Sequence, residues 1–89
     1  MLRITRALRH VHSVTLKLEG NITDDWVNLL ERECRAWISQ KHSVCLDFSD
    51  VSYVDPSGVE MMGKLPIGKV SIINSPDFIT DLLHLRGRP

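Results

Sequence analysis

Apolar residues along this chain switch between a two-residue spacing and a three-to-four-residue spacing, and that alternation restricts the fold more than any other feature. Val14, Leu16 and Leu18 alternate with Thr15 and Lys17, the period of a strand buried on one face. Val27, Leu30, Cys34 and Trp37/Ile38 then recur at helical spacing, which makes a single apolar stripe. Val44-Cys45-Leu46-Asp47-Phe48 returns to the strand pattern and is rich in β-formers. Val59, Met62 and Leu65 read as helix again, and Val70 to Ile73 as a further buried strand. Strand, helix, strand, helix, strand in that order calls for a largely parallel sheet with right-handed crossovers.

The boundaries follow from local chemistry. Leu2 to Ala7 is a weaker strand candidate ahead of Ser13 to Leu18. Glu19-Gly20-Asn21 is expected to break the second strand and turn the chain. Thr23, Asp24 and Asp25 make a helix start, because oxygen-bearing and acidic side chains suit the unpaired amides and the positive end of the dipole. That helix is expected to run to about Ser39. Residues 49–54 lead into Asp55-Pro56-Ser57-Gly58, a turn by composition, and a short helix is expected from Ser57 to the neighbourhood of Pro66. Ser75-Pro76 opens a last helix with Phe78/Ile79, Leu82 and Leu83 facing inward and Gly87 as its terminator. The expectation is an α/β fold: a small mixed sheet of four strands, mostly parallel with the first antiparallel, and three helices packed on it.

Length and charge limit the functions open to such a chain. The 89 residues support one domain spanning 1–89 with a modest core, which disfavours a deep enclosed active site. The 11 basic and 11 acidic side chains cancel, so no global field would draw in nucleic acid. Arg3, Arg6 and Arg9 crowd one end; they lack interleaved aromatics and read as a solvated face. Cys34 and Cys45 lie apart without CxxC spacing, and His10, His12, His42 and His84 show no helical pairing. No metal site or cofactor is therefore expected. No signal peptide and no membrane span is read, and buried thiols fit a reducing compartment, so a cytoplasmic location is expected.

Leu46 to Met62, LDFSDVSYVDPSGVEMM, resembles the signature of STAS domains. In these an apolar strand ends in a loop carrying an Asp, a small residue, a Ser or Thr, and a Gly that opens a helix. Those positions here are Asp55, Pro56, Ser57 and Gly58, and residues 14–22 and 73–76 resemble flanking elements of the family. The resemblance covers roughly residues 13–85. It implies a non-enzymatic binding module like an anti-sigma factor antagonist, held by an anti-sigma factor or serine-kinase-like partner and released when Ser57 is phosphorylated. Partner contacts would fall on Asp55, Pro56, Ser57, Gly58, Glu60 and Met61. The alternative within the same resemblance is an unswitched scaffold subunit of a lipid or anion transporter complex. A homodimer is left open.

The chain departs from the family pattern at Pro56, where a small hydroxyl residue is usual, and at Thr23, where many switchable relatives carry Asp. Read from the residues alone, several roles compete. Ser57-Gly58-Val59-Glu60 is also a capping box, in which Ser57 and Glu60 each satisfy a free amide. Asp55 is either a partner contact or a turn former. Gly58 reads as a backbone necessity, Met61 and Met62 as contact surface or core filler, and Trp26 as an interface anchor or a partly buried core residue. Catalysis by Ser57 would need a base, and neither spacing nor a G-x-S-x-G elbow supplies one.

Overall fold

Among the described residues, hydrophobic alternation places four strands and three helices in the order β1 (Leu2–Arg9), β2 (Ser13–Ile22), α1 (Asp25–Ser39), β3 (Ser43–Val54), α2 (Pro56–Lys64), β4 (Val70–Ile73) and α3 (Asp77–Arg86). This computed structural model describes residues 1–66 and 68–86, with side chains described through residue 81. The inward packing expected of Leu82 and Leu83 and the terminator role of Gly87 lie outside that description.

The sheet order is β1-β2-β3-β4, with β1 antiparallel to β2 and the other pairs parallel. Because space order follows chain order, each right-handed crossover steps the same way and its helix falls on the same face. The strand residues agree. Val14, Leu16, Leu18, Val44, Leu46, Phe48 and Val70 are buried, whereas Thr15, Lys17, Cys45, Asp47 and Ser71 between them are not. Val27, Leu30 and Cys34 of α1, Val59, Met61 and Met62 of α2, and Ile79 of α3 complete the core. Trp26 and Trp37 are half-buried against it. Burial pushes the Cys34 thiol up to about 12, which keeps it protonated and unreactive.

Two strands run further than local sequence suggests. β2 passes through Glu19-Gly20-Asn21 instead of turning there. Pairing shifts between Lys17 and Glu19 and between Gly20 and Asn21 absorb the irregularity, and Gly20 adopts φ 106, open to glycine at little cost. A Cβ there would meet the Met1 carbonyl oxygen, and the Asn21 amide donates to that same oxygen at 2.8 Å. Continuing the strand buries Ile22 completely, worth about 1.5–3 kcal/mol, which outweighs one irregular turn of pairing. β3 likewise continues through residues 49–54, burying Val51 and Val54. Its far end carries the loop from which α2 starts.

Candidate functional site

β2 and β3 end side by side, and the Asp55 amide donates to the Ile22 carbonyl at 3.1 Å. The loop after β3 is thereby fixed at the carboxyl end of the sheet, where open α/β sheets commonly hold their ligands. Pro56 occupies the first position of α2. Its preset φ and missing amide suit that position, so the helix begins one residue ahead of the sequence expectation. The capping role consequently moves. Asp55, not Ser57, caps α2: its Oδ1 accepts from the Gly58 amide at 2.8 Å. Ser57 stands inside the first turn and donates its hydroxyl to the same Oδ1 at 2.8 Å.

The other oxygen of Asp55 reaches across the molecule. Asp55 Oδ2 accepts from the Asp24 amide at 3.0 Å. Asp24 precedes α1 at φ 50, with no capping bond from its own side chain. The cap expected from Thr23 and Asp24 is thus absent in that form; one carboxylate serves the starts of both helices. Burial works to raise the Asp55 carboxyl, but the Asp24 and Gly58 amides and the Ser57 hydroxyl outweigh it and hold it below the usual carboxylate range.

Gly58 is required by space. A Cβ would lie 2.8 Å from Val54 Cγ1 and 3.2 Å from the Ile22 carbonyl oxygen. Val54 is buried and stiff at χ1, and the carbonyl is backbone, so neither yields easily. Overpacking of this kind costs about 1–3 kcal/mol, while alanine regains about 1 kcal/mol of helix propensity over glycine. Gly58→Ala is therefore expected to lose a net of about 1 kcal/mol, read as a lower urea midpoint at unchanged slope. A gain in stability would show that no such crowding exists.

A groove of about 320 Å³ runs between α1 and α2 from this point. Asp24, Asn28 and Glu31 line one side, Ser57, Glu60 and Lys64 the other, with Val27 and Met61 also contributing. Of the residues assigned to partner contact, Pro56, Ser57 and Glu60 are exposed and Asp55 is half-buried. Gly58 and Met61 are buried, Met61 at 4% exposure; its apolar side chain packs in the core, which restricts it to a supporting role under the groove. Asn28, Glu31 and Lys64 were not picked out from sequence. The signal was there in their spacing: Asp24, Asn28 and Glu31 share one face of α1, and Ser57, Glu60 and Lys64 one face of α2.

A mixed four-stranded sheet covered by helices on one face, with a serine displayed at a strand-fed helix start, defines a compact class of α/β module. A family model described as "Mlab, STAS domain" matches residues 6–87, and the chain belongs to the STAS domain family. A search of curated proteins found no significant match. Among solved structures, the anti-sigma factor antagonist SpoIIAA in its unphosphorylated form superposes with a TM-score of 0.75 at 16% identity, over 96% of this chain and 84% of that one. An anti-sigma factor antagonist from Mycobacterium paratuberculosis gives 0.77 at 15% identity, over 96% and 77%. These likenesses are of fold. Among the described residues, no helix is long and apolar enough to cross a membrane.

Proposed function

We propose that this chain is a non-enzymatic, cytoplasmic regulatory module that holds a protein partner, an anti-sigma factor or related serine kinase, against the start of α2, with Ser57 as the phospho-acceptor. The observation that carries the reading is the Ser57 hydroxyl itself. It is exposed at the rim of the α1–α2 groove and oriented by Asp55 at 2.8 Å. Phosphorylation would place nearly two negative charges there, beside Asp55 and among Asp24, Glu31 and Glu60. Among the described residues Lys64 is the one cation lining the groove, and Glu31 is partly neutralised by Arg35 at 3.0 Å. Repulsion across a surface made for a neutral serine is the release step. The chain is a signalling component on this reading, acting on transcription through its partner.

The same carboxylates favour a second reading. A groove this acidic opposes a phosphate at Ser57, as an unswitched scaffold subunit of a lipid or anion transporter complex would tolerate. The two separate cleanly by experiment. Incubation with ATP and candidate anti-sigma kinases, followed by peptide mass spectrometry, is expected to place phosphate on Ser57, and Ser57→Asp is expected to release a partner that Ser57→Ala retains. Absence of modification, with Ser57→Asp and Ser57→Ala holding the same transporter partner equally, would establish the scaffold instead.

A further inference from the structure

At the opposite end of the sheet, where β2 and β3 begin, the β1–β2 turn and the segment entering β3 enclose an open hollow of about 570 Å³. Arg9, His10, Val11 and His42 line it, and among the described residues no acidic side chain does. The Arg9 guanidinium lies over the Trp37 ring, 5.6 Å from its centroid, a contact that orients the cation without neutralising it. His42 is 7% exposed. Its ring meets Trp37 edge-on at 5.1 Å, and its Nδ1 lies 3.1 Å from the Gln40 carbonyl oxygen. A carbonyl only accepts, so Nδ1 carries the proton and donates. Nε2 has no hydrogen-bond partner among the described residues. A polar ring more than nine-tenths buried, with one nitrogen unused and a cavity beside it, is a group waiting for a ligand.

We infer that this hollow binds a phosphate monoester, held by the Arg9 fork and by the imidazoles of His42 and His10. Arginine matches phosphate oxygens bidentately. Neutral His42 offers Nε2 only as an acceptor, for a P–OH; with a second proton it becomes a donor to a phosphoryl oxygen. The groups facing it are Arg9 from β1, His10 from the turn and Trp37 from α1; Glu33 accepts from Trp37 Nε1 at 3.3 Å. The hollow is open to solvent on one side, which leaves room for an organic part beside the phosphate. Val11, 81% exposed between His10 and His12, supplies apolar surface to the organic part, which belongs to a free sugar- or glycerol-type phosphate or to a lipid headgroup.

The test titrates the folded, isotope-labelled chain with glycerol 3-phosphate, with glycerol as control, and measures co-flotation with phosphatidylcholine vesicles with and without phosphatidic acid. Binding of glycerol 3-phosphate at a Kd of roughly 1 mM or tighter, with shifts centred on Arg9, Trp37 and His42, assigns a free ligand. Flotation with phosphatidic acid alone assigns a lipid headgroup. Either binding event should be at least about tenfold weaker in Arg9→Gln. Arg9 is exposed, so that variant folds whether or not a His42→Gln variant does. Arg3→Gln, which alters an exposed arginine remote from the hollow, should bind as the parent does. The inference is overturned if neither probe binds, if Arg9→Gln binds like the parent, or if Arg3→Gln loses as much.

Discussion

An Asp55→Ala chain is expected to be about 1–3 kcal/mol less stable than the parent, more than a single helix cap alone accounts for. The reason is that this carboxylate satisfies two helix starts at once. Its Oδ1 takes the Gly58 amide at the start of α2, and its Oδ2 takes the Asp24 amide ahead of α1. Loss of an N-cap alone is worth about 0.5–2 kcal/mol, and the exposed Asp24 bond adds the net worth of one hydrogen bond, about 0.5–1 kcal/mol. Asp55→Asn keeps one carbonyl oxygen but turns an NH2 toward the other donor, so its stability should fall between the two. Urea denaturation of the three chains reads this order directly. Equal stability of parent and alanine variant would mean that the shared cap does no structural work.

The same group sets a pH dependence. Its folded-state pKa is depressed, so its contribution is fully present above the unfolded carboxylate value of about 3.9 and is lost as pH falls through the lower folded value. In Asp55→Ala that part of the acid sensitivity disappears. The Asp47 carboxyl, depressed by the Ser49 amide and hydroxyl and by Asn74, acts in the same direction and remains in both chains.

Phe48→Ala carries the larger loss, about 3–5 kcal/mol. Phe48 is 0% exposed on β3, facing the helices, and its neighbours on the sheet face are held by backbone pairing and cannot collapse into the space. Against a total of roughly 5–15 kcal/mol for a domain of this kind, such a change removes much of the stability, and Tm should drop by more than about 12 °C. Tyr53→Ala, on the same strand at 49% exposure, should stay within about 0.5 kcal/mol of the parent. A Phe48→Ala loss under about 1 kcal/mol would contradict the packing described here. Because β3 delivers Asp55 and Ser57 to the sheet end, the partner binding proposed at the groove should weaken in Phe48→Ala in step with the folded fraction, whereas in Asp55→Ala it should weaken in chains that remain folded.

The candidate site was partly legible from residues alone. Asp55, Pro56, Ser57 and Gly58 announce a strand-to-helix junction, and that junction is where the sheet places them. Which residue caps the helix is not legible in the sequence, because two motifs overlap. Ser57 with Glu60 satisfies one capping pattern and Asp55 with Pro56 another, and Pro56 decides between them by starting the helix early. Met61 could not be placed by type, since methionine serves cores and contact surfaces alike; α2 turns it inward.

Element order, the inward faces of β2, α1, β3 and α2 and the mixed sheet followed from the sequence, because they depend on the spacing of apolar side chains over a few residues, a property each segment carries by itself; in α3, Ile79 is buried and Phe78 is exposed. The tertiary structure decided where β2 and β3 stop, how one carboxylate joins residues 24 and 55, why Gly58 admits no side chain, and how Arg9 comes to lie over Trp37. Each of these turns on a neighbour distant in sequence. Burial of Ile22 and Val54 outweighs local turn preference, and a hydrogen bond or a clash across the sheet exists only once packing has brought its partners together.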